Sequence, residues 1–250
     1  MSPRLRRLSV AALPCAALVL VVLLALRPLP VPAAAPGVTV EASGSCTAPA
    51  GVRGDWDVWH ELVLVQQDTW FPPHVHDGVE CILTVEGSST WWFPGNEVHE
   101  VPAGKSFLVP DLMAHTAGNK HPGTMRYLSA HILRPGAPFR SEICASAAPV
   151  SGPAGSSSTV FNWVFRNQQG RDGSMTIAQR LERLDPGAGY SFSRPERLTY
   201  LTVLEGSVSL ETEDGRHVLQ PNEGAPIRRG LKATLSNTGT TPARLAVLEL

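Results

Sequence analysis

The sequence predicts an all-β protein in which one β unit is followed by a copy of itself, behind an N-terminal export leader. Three observations carry this reading. Short β-branched runs at residues 58–67, 81–85, 106–109 and 125–133 are broken by glycine, proline and asparagine. No long segment repeats its apolar residues at helical spacing. The second half also aligns with the first: residues 175–184 match 56–65, 204–206 match 85–87, and 222–237 match 104–119.

Taken in order, residues 1–35 form the leader. Arg4, Arg6 and Arg7 precede an unbroken apolar run over 10–26, Arg27 closes it, and small residues near 31–35 suit cleavage. The run is long for a signal core and short for a membrane span, so an uncleaved N-terminal membrane anchor stays open. Either outcome places the protein outside the cytoplasm, secreted or membrane-attached. The first β unit is expected over 50–133. A Pro/Gly/Ser-rich linker follows over 134–159, and the second unit spans 160–250.

The chain has 250 residues with a formal net charge of −1, and no basic block follows the leader, which argues against nucleic acid as a partner. Oligomeric state is left open. Cys15 belongs to the leader, leaving Cys46, Cys81 and Cys144 in an oxidising compartment. Cys46 and Cys144 flank the first unit in irregular sequence and are expected to pair, closing a long loop for ~3–5 kcal/mol on the loop-entropy estimate. Cys81 reads as a small buried apolar residue.

Four side chains carry the chemistry. His74 and His76 share one face of an extended strand, Glu80 keeps their parity, and His115 on a second strand faces them. Three imidazoles and one carboxylate suit a first-row transition metal better than calcium or magnesium, which prefer oxygen. The surrounding pattern closely resembles the two motifs of the cupin superfamily. The first is matched at His74, His76, Glu80 and Gly87, with Asp68 where a glycine opens it. The second is matched at Gly104, Pro110, His115 and Asn119, with Leu112 in place of its inner glycine. The resemblance implies two cupin barrels in tandem, a bicupin. In the second copy the ligand positions have become Ser193, Pro195, Thr199 and Ala233, so that barrel is expected to be metal-free. Arg228, Arg229 and Lys232 near it read as a solvated basic loop.

One divalent ion is therefore expected at His74, His76, Glu80 and His115. Copper or manganese is favoured outside the cytoplasm, and iron, nickel and zinc stay open. Four ligands leave coordination positions free for a small-molecule substrate. Glu80 is also the candidate catalytic base, as in related dioxygenases. Trp70, Met113, Tyr127 and His131 are the candidate pocket residues, drawn from an apolar set with a polar row on one strand. The resemblance to secreted quercetin dioxygenases points to an oxygenase or oxidase of small enolic or phenolic compounds. A metal-dependent cyclase, isomerase or decarboxylase, or a non-enzymatic binder, is the alternative.

Overall fold

The computed structural model describes residues 35–49, 55–95, 97–144, 157–168, 173–193 and 195–250. The leader expected over 1–35 lies outside the described residues except for Ala35. Every regular element among the described residues is a β-strand, and none of these residues forms a helix long and apolar enough to cross a membrane.

The first half runs through β1 (Val38–Ala48), β2 (Trp56–Val65), β3 (Thr69–Trp70), β4 (His74–Val75), β5 (Gly78–Glu86), β6 (Ser88–Phe93), β7 (Glu97–Pro102), β8 (Ser106–Val109), β9 (Thr116–Asn119) and β10 (Met125–Leu133). Two strands, β11 (Ser141–Glu142) and β12 (Ser157–Gln168), lead onward. The second half holds β13 (Met175–Leu184), β14 (Gly189–Ser193), β15 (Thr199–Glu205), β16 (Val208–Thr212), β17 (Gly215–Leu219), β18 (Gly224–Ile227), β19 (Lys232–Ser236) and β20 (Ala243–Glu249).

Each barrel closes a five-stranded sheet over a four-stranded one. The first pairs β12-β2-β10-β5-β8 with β3-β9-β6-β7; the second pairs β1-β13-β20-β15-β18 with β14-β19-β16-β17. Strand parity then decides what faces where. On β2, Trp56, Val58 and Leu62 point out of the barrel, while Val63 and Val65 point into it. The outward face is buried too, because the two five-stranded sheets pack back to back: Val58, Cys81 and Ile132 share a cluster with Ile177, Tyr200 and Leu248.

The contiguous boundaries at 50–133 and 160–250 need correction. Strand β1, which precedes residue 50, pairs with β13 of the second barrel, and β12 pairs with β2 of the first. The exchange covers an edge on each sheet that would otherwise leave a row of backbone donors and acceptors unpaired. Local patterning identifies a strand but not its partner, so the sequence does not reveal it. The linker over 134–159 is also not wholly a surface crossing. Ser141 and Glu142 pair with Val75 and His74, and the Ile143 amide donates to the Pro73 carbonyl at 2.9 Å. Residues 139–143 thus form a strap across the first barrel; residues 145–156 lie outside the described set.

The disulfide differs from expectation as well. Cys46 is joined to Cys81, and Cys144 is an exposed free thiol. Exchange is the cause: β1 belongs to the opposite sheet, which brings Cys46 across the buried interface to a Cα–Cα separation of 5.8 Å from Cys81. Cys81 does point away from the Glu80 side, but as a covalent partner rather than a free apolar residue.

The duplication reaches individual hydrogen bonds. Asn119 Nδ2 donates to the carbonyls of Val65 and Gly123, and its Oδ1 accepts from the His121 amide. Asn237 repeats the pattern with Leu184, Thr241 and Gly239. At the two motif positions lacking glycine, Asp68 and Leu112 both adopt φ 57°, the left-handed conformation that glycine would supply.

Candidate metal centre

The mouth of the first barrel brings His74, His76, Glu80 and His115 together. His74 sits on β4 and bridges His115 by reciprocal backbone bonds of 2.9 and 3.0 Å. His76 follows in the turn into β5, which carries Glu80. Glu80 lies beside His131 of β10 and Val109 of β8. All four side chains are buried.

Their orientation is fixed from behind. His74 Nδ1 meets the Pro72 carbonyl at 2.7 Å, His76 Nδ1 the Phe139 carbonyl at 2.6 Å, and His115 Nδ1 the Met113 carbonyl at 2.8 Å. A carbonyl accepts only, so each Nδ1 carries the proton and each Nε2 keeps its lone pair. Nε2 of His76 and of His115 lie 3.4 and 3.3 Å from Glu80 Oε2. These three atoms are buried without a hydrogen-bond partner. Buried polar atoms are rarely left so, and three converging on one point mark a place for a cation. One ring nitrogen from each of His74, His76 and His115 also lies within 4.8 Å of the other two.

The other carboxylate oxygen is engaged. Ser129 Oγ donates to Glu80 Oε1 at 2.6 Å and accepts from His131 Nε2 at 2.9 Å. His131 Nε2 is also 3.4 Å from Glu61 Oε1. Ser129 and His131 thus hold Glu80 so that Oε2 alone faces the cation position. Burial would raise Glu80, but His131, His115 and His76 draw its carboxyl well below the usual range, so it is an anion. Burial and the nearby His115 lower His74 to about 3, and burial lowers His131 to about 3, leaving both neutral. His76 is held above its ordinary value because Glu80 outweighs the effect of burial.

His74, His76 and Glu80 line a cavity of about 60 Å³ with walls from Val63, Phe71, Trp91 and Phe139. Tyr127 and His131, expected in the pocket, line it. Trp70 and Met113 are not among the lining residues. Trp70 instead lies over the backbone of Gly118, with Lys120 5.7 Å from its ring centroid, and Met113 contributes through its carbonyl to His115. Sequence reading missed Glu61, Phe139, Arg140 and Thr159. Glu61 had a signal: it shares inward parity with Val63 and Val65 in an otherwise apolar run. Burial and the charge of Glu80 push it up to about 8. Phe139 and Arg140 lie in the strap and had no periodicity to announce them.

In the second barrel Thr199 and Ala233 are buried at the equivalent positions. On β13 the position matching Glu61 is Arg180, whose Nε donates to Glu182 Oε1 at 2.7 Å and whose Nη1 lies 3.0 Å from Glu249. Tyr190 completes the network by donating to Glu182 at 2.7 Å. An ion-pair network is buried in this barrel beside its apolar cluster, and among the described residues the ligand clusters occur only in the first.

Comparison with known proteins agrees with this geometry. Residues 61–131 match the Cupin domain family. No curated protein matches the chain. Among solved structures, hazelnut (Corylus avellana) vicilin is similar with a TM-score of 0.53 at 10% identity, covering 86% of this chain and 85% of that one. The formate complex of oxalate decarboxylase from Lactobacillus farciminis gives 0.51 at 8% identity, covering 85% of each. At such identities the likeness is one of fold. The family match thus covers the barrel that carries the clustered histidines and Glu80, and the chain as a whole shares its duplicated β-barrel fold with these two structures.

Proposed function

We propose that the chain is an exported, metal-dependent cupin enzyme, an oxygenase or oxidase acting on a small enolic or phenolic substrate. One observation carries the reading: Nε2 of His76, Nε2 of His115 and Oε2 of Glu80 converge, buried and without partners, beside His74 at a cavity that His74, His76 and Glu80 line. Structural ions are saturated by protein ligands, whereas four donors leave positions of an octahedral ion for a reactant. A transition ion bound there supplies Lewis acidity and, for copper, manganese or iron, redox chemistry. Copper and manganese are favoured because ferrous iron oxidises readily outside the cytoplasm; nickel and zinc also suit the donors. The leader at 1–35 and the Cys46–Cys81 disulfide support export.

The residues themselves orient and protect. Trp91, Phe71 and Val63 exclude water, which strengthens every electrostatic interaction in the cavity. Glu80, ionised and held through Oε1 by Ser129, is the base placed to take a substrate proton. His131 steadies Ser129, and Tyr127 and Glu61 face the same space as further polar groups.

A second reading, Lewis-acid decarboxylation or isomerisation, is favoured by one observation: a cationic side chain, Arg140, reaches the lining. One of the structures sharing this fold is an oxalate decarboxylase. Elemental analysis of protein purified without chelator is expected to give one ion per chain or fewer, and His74→Ala with His76→Ala is expected to abolish it. Two ions per chain would contradict a metal-free second barrel. Oxygen uptake by the loaded protein with enols and phenols supports the oxygenase; turnover under strict anaerobiosis selects the second reading.

A further inference from the structure

We infer that the first-barrel cavity selects a small carboxylate anion, with Arg140 on the inter-barrel strap as the residue that recognises the carboxylate. The inference rests on the reading of this cavity as a metal-dependent active site and narrows its substrate class.

Arg140 is the one Lys or Arg side chain among the described residues lining the cavity. Its contact with an acidic side chain is loose: Glu142 Oε1 lies 3.6 Å from Nη2, beyond hydrogen-bond distance, and Glu142 is well exposed. A guanidinium presents five donors in a planar fork, so a contact of that kind leaves it able to grip a carboxylate with two parallel bonds. Glu61, an acid that also lines the cavity, lies 3.4 Å from His131 Nε2. Arg140 is therefore not spent on an internal ion pair, in contrast to Arg180 of the second barrel, which Glu182 and Glu249 hold.

The backbone that carries Arg140 is pinned on both sides. Phe139 accepts from His76 Nδ1, and Glu142 pairs with His74. The recognising cation is thus tied to two metal ligands, at a separation set by the fold and not by a free loop. The cavity volume limits the occupant further. That volume of about 60 Å³ corresponds to roughly four or five water-sized volumes. A volume of that size suits a two- to four-carbon acid. A carboxylate at Arg140 would leave its neighbouring carbonyl, hydroxyl or second carboxylate facing Glu80 and the imidazoles.

The test uses the full chain loaded with manganese, with acetate and oxalate as probes against their neutral counterparts acetamide and oxamide. Binding is read by isothermal titration calorimetry and metal content is measured on the same samples. The expected result is binding of the acids in preference to the amides, and a loss of about tenfold or more in affinity for the acids in Arg140→Met. Metal stoichiometry and melting temperature should stay at the wild-type values, and Arg140→Lys should recover part of the loss. Equal affinity of wild type and Arg140→Met for the acids, with the metal intact, overturns the inference and leaves the metal centre standing. Amides binding as well as acids overturns it equally. Protein that takes up no metal yet binds acetate through Arg140 upholds the carboxylate pocket and overturns the metal-dependent reading instead.

Discussion

Two residues show how a motif can lose its glycines and keep its shape. Asp68 and Leu112 stand at positions where glycine is usual, and both hold φ 57°. Asp tolerates that conformation through its short polar side chain, whereas Leu pays about 1–2 kcal/mol for the clash of its Cβ. Leu112 is 58% exposed and so recovers little by burial. Its amide nonetheless donates to the His76 carbonyl at 3.0 Å, so the strained turn helps seat a ligand. Leu112→Gly is expected to raise unfolding free energy by about 1 kcal/mol, less the added chain entropy of glycine, with metal affinity unchanged. Urea titration beside metal titration checks both halves of that statement. Ser129→Ala should behave in the opposite way. Glu80 Oε1 and His131 Nε2 lose a buried partner, so stability falls by about 1–3 kcal/mol, and metal affinity falls by about 10- to 100-fold. The clustering of His74, His76, Glu80 and His115 was legible in the sequence because parity and spacing put them on one face. Ser129 and Glu61 were less so, since polar residues at inward positions become meaningful only when the facing strand is known.

At the scale of elements, strands were legible and their partners were not. The run over 58–67 announced β2, yet nothing local states that β12 lies on one side of it and β10 on the other. The same gap misassigned the disulfide. With β1 read as a flank of the first unit, Cys144 was the natural partner for Cys46; with β1 placed in the opposite sheet, Cys81 is. The bond therefore staples β1 to β5 across the packed sheets, over a sequence separation of 35 residues. Reduction is expected to cost about 2–4 kcal/mol, as is Cys46→Ser, while Cys144→Ser is expected to be silent. Denaturation with and without a thiol reductant measures the cost. Peptide mapping that found Cys46 joined to Cys144 would contradict the exchanged position of β1. The strap is a second element that composition disguised. Its proline- and glycine-rich surroundings read as linker, but Phe139 packs on His131 at 4.6 Å and on Trp59 at 4.9 Å, closing the cavity.

At the scale of the molecule, both halves fold as one cooperative body, because residues of each bury the other's sheet and each barrel borrows a strand. Its buried titratable groups then set how stability follows pH in the metal-free protein. His60, between the sheets, and His74 and His131 are each lowered from 6.5 to about 3, chiefly by burial. Between those limits the unfolded chain binds protons that the folded one refuses, so stability falls as pH drops below 6.5. Glu61 works in the other direction. Raised from 4.5 to about 8, it keeps its proton in the folded state while the unfolded chain has lost it, so its contribution declines as pH rises toward 8. His76, held above its ordinary value by Glu80, adds to that alkaline decline. Below 6.5 three histidines outweigh one glutamate, and above 6.5 only the declining groups remain, so the optimum should fall near pH 6.5. Glu61→Gln removes most of the decline between pH 6.5 and 8, about 1–2 kcal/mol, and steepens the fall below pH 6.5, where Glu61 opposes the histidines down to about 4.5. Urea unfolding in the presence of a chelator at pH 5, 6.5 and 8 reads these slopes. Wild-type stability that kept rising from pH 6.5 to 8 would mean that Glu61 is ionised in the folded state. The cavity wall facing Arg140 would then carry a charge opposed to an anionic substrate.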